Sequence, residues 1–583
     1  MNQPRRVAML VLFVSVAALW GCGRGQETAG DAAAARDPAP ATGAAARDPA
    51  SDEFSPAAVS AADAVGAAEM KEWIGTLAAD DMQGRGPGSD GDRQTRDYLA
   101  RELESLGYAP GGPDGSWQQP FELVGINSQQ PPTWEFSAGD ETVTLEQSSE
   151  FIVASGVQRE QASVEKAELV FVGYGIQAPE YEWDDFKGQD LTGKVLVMLN
   201  NDPDWDPALF EGDTRLYYGR WTYKYESAAA QGAAGAIIIH TEASAGYPWQ
   251  VVQTSWTGEQ FELPAGEEPR TQVEGWVTEA AAGKLLSSAG KSLDELVEAA
   301  RSRSFEPVPL GIRTSLTLAN ELSKTESANV LGLLRGSDEA LADEVVLYTA
   351  HHDHLGVGTP DSSGDRIYNG ARDNAAGVGL VMSIAKAFAS LPERPRRSIL
   401  IALVGAEEQG LLGSKYYALH PTVPPGRIAA VINFDAPNIW GKTRDATYVG
   451  MGKSSLDRVA QAAAAHQDRT VHPDPFPDRG FFYRSDQFSL ARVGVPGLYL
   501  KGGTDFVGKP DGWGREQVDA YTRQHYHQPS DELSDAWNFD GLVQDARLGF
   551  LAGLIVANQD EMPTWNPGDE FEAARQEALS ALD

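Results

Sequence analysis

The stretch EVVLYTAHHDH (Glu344–His354) decides how the rest of the chain is read. Val345 to Ala350 is a nearly unbroken apolar run rich in β-branched and aromatic side chains. That is the pattern of a strand buried on both faces. The run ends abruptly in His351, His352, Asp353 and His354, although the whole chain has only nine histidines. In a parallel α/β sheet, sites gather beyond the carboxyl ends of the strands. An apolar strand that stops in metal-ligand side chains fits that placement.

Outward from this strand, the alternation continues. NAAGVGLVMSIAKAFASL (Asn374–Leu391) has helical spacing, and RSILIALVGAEE (Arg397–Glu408) reads as a strand. GLLGSKYYAL (Gly410–Leu419) is a helix, while IAAVINFDAP (Ile428–Pro437) and VPGLYLKGG (Val495–Gly503) are strands. DGLVQDARLGFLAGLIVANQ (Asp540–Gln559) is a closing helix. Strands and helices in turn predict an α/β fold: a mostly parallel mixed sheet flanked by helices. Gly377 and Gly379 are expected to serve helix–sheet packing, because their spacing and the lack of a following Lys fit no phosphate loop.

Polar residues recur at the strand ends: His351, Asp353, Glu407, Glu408 and Asp435, with Asp373 in a following loop and His527 before the last helix. Each alone reads as a helix cap or solvated surface. Together they form a ligand set. Imidazoles and carboxylates suit zinc with an open position for water or substrate. Two imidazoles and three carboxylates are too many for one tetrahedral ion but fit two zinc ions that share a bridging carboxylate. A further carboxylate then stays off the metal to move protons, and the Glu407–Glu408 pair offers one for each task. In an extended strand end, His351 and Asp353 share a face and His352 points away. Asp353 is therefore expected to take the second ring nitrogen of His351. His352 and His354 are expected to be packing or surface residues, with a metal role for His354 kept as an alternative.

The segments AHHDH, GARDNAAG, GAEEQGLLGS, NFDAPN, YRSDQF and YHQPSDE occur in this order between residues 350 and 532. As an ordered set they resemble the co-catalytic zinc aminopeptidases, relatives of glutamate carboxypeptidase and animal glutaminyl cyclase. The resemblance implies His351 and Asp435 on one zinc, Glu408 and His527 on the other, and Asp373 as the bridge, followed by a cis peptide bond. It implies Glu407 as general base, Tyr526 as a donor to the developing oxyanion and Arg484 as a substrate-binding residue. His525 is then only a neighbour of the site. The activity implied is removal of N-terminal residues from peptides with a free N-terminus. A carboxypeptidase or dipeptidase on the same scaffold is the alternative, and a single-zinc cyclase or a non-catalytic binding protein fits the complete ligand set less well.

Residues 160–300 differ in character. AELVFVGYGI, GKVLVMLNN and YKYESAAAQGAAGAIIIH read as strands and a helix, without clustered acids and histidines. This module resembles an inserted protease-associated domain. The expected organisation is a signal peptide at 1–22, a disordered tether at 23–60, a first part of the catalytic domain at 61–155, the inserted domain at 156–305, and the part carrying the site at 306–583.

At the N-terminus, Arg5 and Arg6 precede an apolar run too short to span a bilayer, then Gly21 and Cys22. The pattern resembles a bacterial lipoprotein site, with Cys22, the sole cysteine, as the lipidated residue. A plain signal peptide is the simpler alternative. The chain is thus expected to be exported and either periplasmic or lipid-anchored to the outer membrane, with Cys22 its only link to a membrane. The formal net charge of −37 argues against nucleic acid and anionic lipid surfaces as partners.

Overall fold

A computed structural model describes residues 54–207 and 209–582. The expected signal peptide, Cys22 and most of the expected tether lie outside the described residues. The tether ends earlier than expected. Residues Pro56–Asp63 form a helix, α1, capped by the Ser55 side chain, and its Ala58, Ala61 and Ala62 are buried. Three small side chains on one face let this short helix pack closely. Helices α2 (Ala67–Leu77) and α3 (Asp90–Ser105) follow.

The strands then run β1 (Gln118–Gln129), β2 (Thr133–Ala138), β3 (Glu141–Glu146), β4 (Phe151–Ser155), β5 (Gln161–Phe171), β6 (Val195–Leu199) and β7 (Gly235–His240). Helix α4 (Trp249–Ser255) precedes β8 (Val273–Thr278) and the long β9 (Val308–Leu334). Next come β10 (Val345–His351), α5 (Ala376–Ala389), β11 (Ser398–Val404), β12 (Ile428–Asn433), β13 (Asp445–Val449), β14 (Gly497–Gly502) and α6 (Asp540–Asn558).

Strand β10 lies between β11 and β12 and is parallel to both, and β12 is parallel to β14. The C-terminal end of β9 and strand β13 close this sheet with antiparallel pairings. The mostly parallel mixed sheet is thus as the sequence predicts. Its strands serve two cores by simple alternation. Val346, Tyr348 and Ala350 face helices α2, α5 and α6, while Val345 and Leu347 face the opposite layer. Gly379 acts between helices rather than against the sheet: a Cβ there would lie 2.7 Å from Ile74 of α2.

The middle module begins earlier than residue 156. Strands β2 and β3 form a hairpin, β2 pairs with β9, and β4 pairs with β8. Trp134, Phe136, Val143 and Leu145 are buried in the module's core. Its end also moves, because β9 pairs with β5 over residues 308–319 and with β1 over residues 319–330. One continuous strand therefore ties the module to the parallel sheet, and the module spans about residues 130–320 rather than 156–305. The alternating hairpin pattern carries no mark of which sheet it joins. The two parts share a core: Tyr217 packs on Phe488 with ring centroids 5.1 Å apart.

Arg85, in the turn-rich loop between α2 and α3, is fully buried. Its Nε donates to the His352 carbonyl at 2.7 Å, Nη1 to the carbonyls of Leu77 and Asn369 at 2.6 Å each, and Nη2 to that of Gly370 at 3.0 Å. One guanidinium thus holds the loop after β10 against the loop before α5. Arg85→Met keeps the length but leaves four carbonyls without their donor. It should lower unfolding free energy by about 3–5 kcal/mol, read from the urea midpoint; an unchanged midpoint would refute this role.

Candidate metal centre

The strand ends bring the expected residues together. His351 ends β10, Glu407 and Glu408 follow β11, and Asp435 follows β12. Asp373 sits in a tight turn leading into α5, and the Asp373–Asn374 peptide bond is cis. Gly370 opens this turn at φ 55°, where a Cβ would lie 2.4 Å from the Asp373 carbonyl oxygen and from His354 Cγ. Only glycine fits that approach. His527 arrives from the loop after residues Trp513–Gln524.

The two oxygens of Asp373 face different histidines. Oδ1 lies 3.2 Å from His351 Nε2, and Oδ2 lies 3.6 Å from His527 Nε2. His351 Nε2 is also 3.7 Å from Asp435 Oδ1, and His527 Nε2 is 3.1 Å from Glu408 Oε2. Glu407 Oε2 stands 3.8 Å from His351 Nε2. Ligand atoms of His351, Asp373 and Asp435 lie within 4.8 Å of one another, as do those of His354, Asp373 and Glu408.

The donor set fits metal. Several carboxylates buried together repel unless cations or protons compensate them. His527 Nε2 is buried and makes no hydrogen bond. The protonation pattern shows the same strain. Burial would lower the His351 pKa, but Glu407, Asp373 and Asp435 hold it well above its ordinary value. Burial raises Glu407 well above the carboxylate range, opposed by His351 and aided by Glu408. Burial would raise Glu408 too, but His527 and His354 bring it down to about 2. Protons held on the imidazoles and on Glu407 here supply the positive charge that a divalent ion would bring, so the set of His351, Asp373, Glu408, Asp435 and His527 suits zinc.

The supporting contacts differ from expectation at Asp353. Its carboxylate is 3.8 Å from His351 Nδ1, and the backbone carbonyl of Asp353 takes that nitrogen at 3.2 Å. The carboxylate instead accepts the backbone N–H groups of Glu407 at 3.0 Å and Glu408 at 3.3 Å. The turn after β11 offers two unpaired donors, which a buried carboxylate satisfies better than a carbonyl. His354 is not a surface residue: it is buried, with Nδ1 2.6 Å from Glu408 Oε1. That short bond orients Glu408 and leaves Oε2 toward His527. His352 is also buried, between Asp92 and the Leu403 carbonyl at 3.2 Å each. His525 turns away to Ser530, with Nδ1 3.0 Å from Oγ.

Three supports are not marked in the sequence. Asp531 accepts the backbone N–H groups of Arg372 and Asp373 at 3.1–3.2 Å and the Tyr521 hydroxyl at 2.9 Å. Asp486 is buried, and burial raises its pKa to about 7. Ser255, from α4 of the middle module, places Oγ 2.7 Å from His527 Nδ1. Asp531 and Asp486 lie inside motifs already singled out, which was the available signal. Ser255 carries none, since it reaches the site across 272 positions of sequence. Tyr526 stacks on His527 with centroids 3.9 Å apart and receives a hydrogen bond from Arg484 Nη2 at 3.3 Å.

A profile of Peptidase family M28 matches residues 329–546. A probable zinc metalloprotease of Leptosphaeria maculans is 28% identical over 178 residues, 30% of this chain and 34% of its own length. Aminopeptidase NAALADL1 of Rattus norvegicus is 34% identical over 117 residues, 19% of this chain and 14% of its own. The chain thus spans about a third or less of the length of these curated relatives. An aminopeptidase structure from Aneurinibacillus sp. strain AM-1 superposes with a TM-score of 0.53 at 19% identity, covering 87% of this chain and 97% of that one. At that identity the likeness speaks to the fold.

Removing the Ser255 hydroxyl should weaken the hold on His527. Ser255→Ala is expected to lower zinc affinity about 10–100-fold, measured by competition with a chromogenic chelator; equal affinity would show that the module does not support the metal ligand.

Proposed function

We propose that this chain, whose residues 329–546 match the profile of peptidase family M28, is a metallo-aminopeptidase with two zinc ions and a glutamate general base. The carrying observation is the division of Asp373, whose oxygens face His351 and His527 separately. That arrangement suits a bridging carboxylate, with Asp435 completing the His351 side and Glu408 the His527 side. The relatives named zinc metalloprotease and aminopeptidase support the same reading.

When bound, zinc supplies Lewis acidity and a water of lowered pKa at neutral pH. The chain's own residues do the rest. Glu407 lines the cleft, and its backbone is fixed by Asp353. Its carboxylate, beside His351 in the cleft, is placed to take a proton from the attacking water and pass it to the leaving amine. Tyr526, aimed by Arg484, donates its hydroxyl hydrogen to the oxygen where negative charge develops. Asp435 and Asp373 line the same cleft, and the substrate's free amine would sit beside them. The middle module, read as a protease-associated domain, covers the site through α4 and limits how much of a peptide enters.

Two leucine amides, one with a free amine and one N-acetylated, test the activity. Only the free-amine compound should be cleaved, with loss on chelation and recovery on zinc addition. Cleavage of the acetylated compound at an equal rate would contradict an aminopeptidase. Glu407→Gln should keep its zinc and lose about 10²–10⁴-fold in kcat; near-normal turnover would remove Glu407 as the base.

A further inference from the structure

The cleft beside the ligand cluster has two lobes, of about 80 Å³ and 170 Å³, that share Tyr247, Glu407, Glu408, Arg484 and Tyr526. The smaller lobe reaches Phe481, Tyr499 and Lys501. The larger runs into the middle module, to Arg220, Trp221 and Trp256. Three of these residues carry positive charge that is held in no ion pair among the described residues. Arg220 Nε is buried without a hydrogen-bond partner, and the guanidinium lies only over the Trp221 ring, 5.9 Å from its centroid. Arg484 meets the Tyr526 hydroxyl and, at 5.4 Å each, the rings of Tyr247 and Phe481. Lys501 lies over the rings of Phe481 and Tyr499, at 4.6 Å and 5.1 Å. Asp435 acts on Arg484 and Lys501, and Asp474 on Lys501, through space and not by a paired contact.

The other charges lining these lobes are already engaged. Arg479 pairs with Asp519, and Arg372 donates to the carbonyls of Pro437 and Ala436. Glu262 pairs with Arg270. Burial raises Glu274 to about 8, so it is largely neutral near pH 7. The carboxylates of the ligand cluster would be occupied by metal on the reading above. Burial, and then the charge of Arg484, lower Arg220 to about 10, so the two cations repel while both remain protonated. In a chain of formal charge −37, unpaired cations gathered in one cleft are unlike the average surface. An anion between them would relieve the repulsion through charge-assisted hydrogen bonds. The volumes suit a carboxylate on a short aliphatic stem, whose methylenes would lie along Trp221, Trp256 or Phe481.

We propose that Arg220, Arg484 and Lys501 form a carboxylate-binding subsite that selects substrates with an anionic group next to the scissile bond. The inference rests on the peptidase reading and names its substrate class. The carboxylate can come from an acidic side chain or from the free C-terminus of a dipeptide, and two substrate pairs separate these sources. Zinc-loaded full-length chain would be assayed on glutamyl and glutaminyl p-nitroanilides, and on leucyl-leucine and its C-terminal amide. The acidic member of at least one pair should lead by about tenfold or more in kcat/KM. In the Arg220→Gln/Lys501→Gln double variant that ratio should fall close to one, with circular dichroism and zinc content as checks on folding. Equal rates within both pairs, or a preference that survives in the folded double variant, would overturn the subsite. If no free-amine substrate is cleaved, the aminopeptidase reading fails on its own, and calorimetry still decides this inference. Glutamate should then bind the zinc-loaded protein more tightly than glutamine, and equal binding would overturn it.

Discussion

Arg85 sets the condition on which the site depends. The cluster concentrates acids in a region almost without water: Asp353, Asp373, Glu407, Glu408, Asp435, Asp486 and Asp531. Such a group stays together only if each carboxylate is answered. Arg85 answers part of the field directly. Burial lowers its pKa to about 10, while Asp353, Asp531, Asp373 and Glu408 oppose that fall. It also ties the loop after β10 to the turn that carries Asp373. Asp531 is answered by backbone N–H groups of that turn, and Asp353 by those of the turn after β11. The residues that neutralise the site therefore also shape it, and the remaining excess of carboxylate is what a divalent ion would meet.

Much of this was legible in the sequence, for an identifiable reason. Apolar runs such as Val345–Ala350 and Ser398–Val404 are too uniformly buried to be surface strands, and ligand-type side chains begin where they stop. A parallel sheet turns that one-dimensional coincidence into proximity, because the ends of β10, β11 and β12 lie side by side. The residues that escaped notice act across long separations. Arg85 reads as one polar residue in a glycine-rich turn, yet its partner His352 lies 267 positions away. Ser255 looks like the end of an ordinary short helix. Asp353 lies beside His351, but its carboxylate takes the N–H groups of Glu407 and Glu408 rather than the His351 ring. Strand geometry shows which face a side chain takes, and it does not show that a neighbouring turn will offer two unsatisfied N–H groups.

The middle module is part of the site rather than an appendage. Strand β9 belongs to both sheets, and aromatic residues from both parts fill one core. Helix α4 then lies across the opening, so Ser255 touches His527 and Tyr247 lies under Arg484. Arg220 enters the same cleft from the module. On the proposed function, the parallel sheet would supply ligands and proton transfer, and the module second contacts and the shape of the pocket.

The central proposal is that the cluster around Asp373 would hold two ions, one on the His351 side and one on the His527 side. Metal analysis of purified protein, by inductively coupled plasma mass spectrometry after dialysis against trace zinc, tests it most directly. The account predicts two zinc ions per chain. A single zinc per chain that cannot be raised to two by added metal would contradict it.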